Sequence, residues 1–122
     1  MSESKPEDCL FCKIVGREIP GDIVYEDDQV LAFSDISPQA PVHILVVPKL
    51  HVSTLNDLAA HNEEDAAALV GQLVLRARAI AAERGIDESG YRLIMNCNAD
   101  GGQTVFHIHL HLLGGRPLRA LG

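Results

Sequence analysis

Apolar and polar positions along the chain change their period several times, and each change marks an element. Beyond a polar leader of about residues 1–9, Leu10, Phe11, Ile14 and Val15 recur at helical spacing ahead of Gly16 and Pro20, which predicts a short helix over 10–17. Segments 23–26 and 30–34 flank Asp27-Asp28-Gln29 in the pattern of a β-hairpin, and the β-branched run VHILVVP predicts a third strand at 42–48. Asn62 followed by Glu63-Glu64-Asp65 combines a side-chain cap with acids at the positive end of a helix dipole, and Gly85 is the matching stop. Between them Ala66, Leu69, Val70, Leu73, Val74, Ala77, Ile80 and Ala81 form one apolar stripe, so this long helix is expected to cover a sheet. Strands are expected at 91–96 and 106–113, joined through a loop with paired glycines, Gly101-Gly102. The sum is an α+β fold: a five-stranded antiparallel sheet with one long and one or two short helices on one face.

Composition narrows the picture. The 122 residues are expected to form one domain, with 118–122 as a short C-terminal tail; at 47% hydrophobic but 4% aromatic, its core must be mostly aliphatic. A formal charge of −7 and a pI near 5.2 disfavour nucleic acid and anionic membranes as partners. A single nucleotide is compatible, because a few backbone N–H groups suffice to hold a phosphate. The opening MSESKPED lacks the basic start and apolar run of a secretory signal, and no stretch is long enough to span a bilayer. With only three cysteines, Cys9, Cys12 and Cys97, a cytoplasmic location is expected.

The chemistry concentrates in His107-Ile108-His109-Leu110-His111-Leu112-Leu113. In a strand this alternation sends all three imidazoles to one face and the aliphatic side chains to the other. Same-face neighbours on a strand stand about 7 Å apart, so a track along a substrate is a more natural product than one three-histidine metal site. Neutral imidazole is a nucleophile at neutral pH, and its charged form donates a proton. Just upstream, Gly101-Gly102-Gln103-Thr104-Val105 offers consecutive backbone N–H groups and a hydroxyl, the makings of a phosphate nest. A solvated strand face is the plainer alternative for any one of these histidines; the triplet beside a glycine pair favours a site.

That motif resembles the signature of the histidine triad superfamily. Phe33-Ser34-Asp35-Ile36-Ser37-Pro38-Gln39-Ala40-Pro41, His43-Ile44-Leu45-Val46-Val47-Pro48-Lys49, Gly101-Gly102-Gln103 and Leu113-Gly114-Gly115-Arg116-Pro117 are similar to its Hint branch, the histidine triad nucleotide-binding proteins. The resemblance implies a homodimer with two sheets joined across the interface. It also implies hydrolysis of purine nucleoside 5′-phosphoramidates and aminoacyl adenylates to the monophosphate, through a nucleotidyl-histidine, with no cofactor required for catalysis. Relatives carry a longer C-terminal tail, so any preference set by that tail is not carried over.

By position, the resemblance makes His109 the nucleophile, His111 a phosphate contact and His43 a supporting histidine, with His107 and Thr104 completing the catalytic set. Asp35 matches the carboxylate that accepts both ribose hydroxyls, as a vicinal diol requires. Phe11, Ile14, Ile19, Phe33, Ile36 and Leu45 match the apolar walls around base and sugar, and Asn96, Gly102, Thr104 and Val105 the phosphate-contacting groups. Cys9 and Cys12, with His51 and His107, match superfamily members that hold a structural zinc. Other activities compatible with the motif are dinucleoside polyphosphate hydrolysis and a non-catalytic, nucleotide-dependent interaction role.

Overall fold

The computed structural model describes residues 8–121; most of the polar leader and the last residue of the tail lie outside the described residues. Helix α1 spans Leu10–Val15, two residues shorter than expected, because Arg17 takes a left-handed φ of 62° where the chain turns away. Strands β1 (Ile23–Glu26) and β2 (Val30–Ser34) form the expected hairpin. Its turn is fastened by Asp27, whose Oδ1 accepts from the backbone N–H groups of Gln29 and Val30, each at 2.8 Å. Strand β3 covers Val42–Pro48, a 3-10 turn covers Leu55–Ala60, and helix α2 covers Glu63–Glu83, capped by Asn62 through the N–H of Asp65. Strands β4 (Tyr91–Ile94) and β5 (Leu110–Gly114) complete an antiparallel sheet of order β1-β2-β3-β5-β4.

The sheet is covered on both sides, which explains why β2 and β3 read as continuous apolar runs rather than alternating ones. Val30, Ala32, Ile44, Val46, Leu110 and Leu112 pack under α2 with Leu69, Leu73, Ala77, Ile80 and Ala81. The intervening Leu31, Phe33, Leu45 and Val47 form a second cluster with Phe11, Cys12 and Ile14 of α1. The expectation that all helices share one face is therefore corrected: α1 lies opposite α2, drawn there by its own apolar residues. Each fully buried aliphatic or aromatic side chain in these clusters contributes about 1.5–3 kcal/mol. Val74, assigned to the buried stripe of α2, is 40% exposed beside Leu75 at 48%, since it stands about 100° around the helix from the fully buried Leu73 of the same turn.

Two strand limits also differ from expectation. The ladder between β3 and β5 ends at Val46 with Leu110, so β5 begins at Leu110 rather than 106. Two residues further the register would pair Ile108 with Pro48, which has no N–H to give, and the Ile108 N–H instead donates to the Val52 carbonyl at 2.8 Å. Strand β4 stops at Ile94, opposite His111, rather than continuing to 96.

Candidate active site

Although only His111 of the triad lies in a ladder, the alternation survives through packing. Ile108, Leu110 and Leu112 are anchored in the α2 core, which sends His107, His109 and His111 to the other side. There a cavity of about 300 Å³ opens, lined by Phe11, Ile14, Ile19, Phe33, Ile36 and Leu45 together with Asp35, Thr104, Val105, His109 and His111. All six residues that the resemblance assigns to apolar walls thus line this cavity. Ile36, 95% exposed, stands at the rim, whereas Phe11 meets the His109 ring edge-on at 5.0 Å between centroids and 87° between planes. Asn96 and Gly102 are not among the lining residues. Neither is His107, which is wholly buried and turned toward Cys9, Cys12 and His51.

Hydrogen bonds to backbone groups set the tautomers of these rings. His109 Nδ1 lies 2.8 Å from the carbonyl oxygen of His107. A carbonyl only accepts, so Nδ1 carries the proton and Nε2 the lone pair. For His43 the logic inverts: its Nδ1 accepts from the Gln39 backbone N–H at 3.0 Å, so Nε2 carries the proton. That Nε2 stands 3.0 Å from His111 Nδ1 and 3.4 Å from Asp35 Oδ2. Donation to His111 Nδ1 leaves His111 with its proton on Nε2. One ring thus offers a nucleophilic lone pair and its neighbour, 4.9 Å away between centroids, an N–H donor. A metal at Asp35, His43 and His111 is disfavoured by the same bond, because the Gln39 N–H keeps a proton on the ligating nitrogen of His43.

Burial keeps the rings neutral. It lowers His109 from the ordinary imidazole value, against the opposing pull of the His107 carbonyl and the Asp35 carboxylate. Burial, with the neighbouring His109 and His43, pushes His111 down to about 4, and burial likewise lowers His43.

The glycine turn is built by Gln103, a residue whose structural role the sequence did not disclose. Its buried amide accepts from the Asn98 N–H at 2.9 Å and donates to the carbonyls of Ser53 and Val105 at 2.8 and 3.1 Å. Gly101 is required by space: a Cβ there would fall 2.6 Å from the Cys97 carbonyl oxygen. Gly102 is required by conformation, at φ 84°.

Behind the triad, Cys9, Cys12, His51 and His107 are all buried, with one donor atom each lying within 4.8 Å of the others. His107 Nδ1 is 3.5 Å from both sulfurs, His51 Nδ1 is 3.4 Å from Cys12 Sγ, and the two Nδ1 atoms are 3.2 Å apart. A zinc tetrahedron with its usual bond lengths has N···N and N···S edges of about 3.3 and 3.6 Å. The tautomer also fits, since His107 Nε2 donates to the Pro48 carbonyl at 2.7 Å and leaves Nδ1 to face the thiols.

Alternate histidines sent to one side of the segment that runs into an inner strand, with a carboxylate and a glycine turn beside an apolar pocket, define a histidine triad protein. The chain belongs to the HIT domain family, whose model matches residues 16–118. Over 112 residues, 92% of this chain and 91% of the relative, it is 56% identical to the purine nucleoside phosphoramidase of Escherichia coli (strain K12). It superposes on a HIT family hydrolase from Legionella pneumophila Philadelphia 1 with a TM-score of 0.86 at 51% identity, covering 92% of this chain and 96% of that one. With a histidine triad protein from Clostridium difficile the TM-score is 0.90 at 45% identity, covering 98% and 100% of the two chains.

Proposed function

We propose that this protein is a nucleotide hydrolase that cleaves the phosphorus–nitrogen bond of purine nucleoside 5′-phosphoramidates by way of a nucleotidyl-His109 intermediate. The observation that carries the reading is the bond from His109 Nδ1 to the His107 carbonyl, which leaves Nε2 as the lone-pair nitrogen of a ring lining the pocket. The identity to a purine nucleoside phosphoramidase supports the same chemistry. Base and sugar lie between the apolar walls, and Asp35 accepts the ribose hydroxyls, while Thr104 and Val105 of the lining meet the phosphate. His109 Nε2 attacks the α-phosphorus and the P–N bond breaks, the departing amine taking a proton from water. His111, kept as an Nε2–H donor by His43, holds a phosphoryl oxygen. The hydroxide left by that water then cleaves the P–Nε2 bond, releasing the nucleoside monophosphate and restoring the His109 lone pair.

None of these steps uses a metal. Zinc bound by Cys9, Cys12, His51 and His107 would be structural, and the edge lengths above support it. A homodimer is supported by the free outer edge of β4 and by Val74 and Leu75 exposed on α2. Among the described residues no helix is long and apolar enough to cross a membrane.

Initial rates on adenosine 5′-phosphoramidate and on diadenosine triphosphate test the reading. The phosphoramidate should be turned over faster, and a preference for the triphosphate would shift the assignment to dinucleoside polyphosphate hydrolysis. The pH profile is a second check. Because burial lowers His109, kcat/KM for the phosphoramidate should stay level from about pH 8 to about pH 6.5 and fall only below that, as a proton occupies Nε2. An acid limb centred above about pH 6.5 would contradict a neutral nucleophile held by burial.

A further inference from the structure

We infer that zinc at the Cys9, Cys12, His51 and His107 cluster sets the position of α1 and thereby the shape of the nucleoside pocket, so that metal occupancy controls nucleotide affinity. The inference rests on the zinc reading above and extends it from stability to binding.

Helix α1 has only six residues. A helix that short is not stable by its own hydrogen bonds and takes its place from whatever tethers it. Its apolar residues hold it against the sheet, and its two cysteines tie it to the cluster. Cys9 is the N-cap, its sulfur accepting from the Cys12 N–H at 3.4 Å, and Cys12 sits within the helix, so both thiols leave the same turn toward the cluster. That turn presents Phe11 to the pocket, followed by Ile14, and Phe11 rests against His109 and, at 5.4 Å between centroids, against Phe33.

The other two ligands reach the site through the backbone. His107, facing the thiols through Nδ1, orients the nucleophile through its own carbonyl oxygen. His51 lies two residues from Ser53, whose carbonyl is held by the Gln103 amide that also grips Val105. One ion would therefore join the pocket wall, the segment carrying the triad and the support of the phosphate turn, three pieces of chain remote in sequence. Without it, contacts of 3.2–3.5 Å among the two sulfurs and the two imidazoles are what cross between them at the cluster, far weaker than four metal–ligand bonds. Cys9 and Cys12 are thus positioning residues: they touch no substrate and act through α1 and His107.

The test uses the purified full chain. Elemental analysis should find one zinc per chain, and calorimetric titration with AMP before and after stripping by a chelator should show binding weakened about tenfold or more. Amide exchange should quicken over residues 10–19 while the strands keep their protection, and added zinc should restore both. A stripped protein with unchanged AMP affinity and exchange would overturn the inference and leave the zinc reading standing; protein purified without zinc would overturn both. Should stripping unfold the sheet, as circular dichroism would report, zinc-loaded Phe11→Ala decides the point. It should keep its zinc and lose AMP affinity, and unchanged affinity there would overturn the route through α1.

Discussion

Replacing His109 with alanine should lower turnover of adenosine 5′-phosphoramidate on the order of 10⁴-fold or more, while AMP still binds. The size follows from the role proposed for the ring, that of supplying the attacking atom, which no neighbour can take over. His111 presents an N–H rather than a lone pair, and the His107 ring is buried among the cysteines. Binding should persist because the walls formed by Phe11, Phe33 and Leu45, and the carboxylate of Asp35, do not depend on the imidazole. Trapping during turnover gives the complementary result in the intact protein, a nucleotidyl mass increment located at His109 by peptide mapping. Turnover by the variant within tenfold of the parent, or an adduct at His111, would refute the assignment.

The second large effect is on the scaffold. Gln103→Ala removes three hydrogen bonds from a buried amide and leaves the Asn98 N–H and the Ser53 and Val105 carbonyls to find other partners. With about 0.5–1.5 kcal/mol per bond, and more where a buried group stays unsatisfied, the expected loss is about 3 kcal/mol in denaturant titration. Because the amide shapes the turn carrying Thr104 and Val105, KM should rise more than kcat falls. Gln103→Glu, which keeps the acceptor for Asn98 but turns a buried carboxylate oxygen toward two carbonyl oxygens, should cost at least as much as alanine. A loss under about 1 kcal/mol with unchanged KM would mean that the turn stands without its amide.

Much of the site was legible in the residues. A two-residue period sorts side chains between faces whatever covers them, so Ile108, Leu110 and Leu112 could be assigned to the core and the histidines to the opposite side. The same local logic placed α2, with its Asn62 cap, and the hairpin around Asp27. The pocket walls, from Phe11 to Leu45, were reached through family resemblance rather than through any pattern in composition.

Tertiary structure decided the rest. That β5 begins only at Leu110 depends on Pro48, a residue of another strand that cannot donate where Ile108 would pair. That the three histidines divide between a pocket and a cysteine cluster depends on where α1 docks, and the opposite face it chose was hidden because apolar spacing names a buried side without naming its partner. Above all, the proton positions that give one imidazole a lone pair toward the pocket and another an N–H are set by the carbonyl of His107 and the N–H of Gln39. Nearly every residue carries those backbone groups, so residue types specified the rings along this chain, and only their placement in three dimensions specified which nitrogen keeps its lone pair.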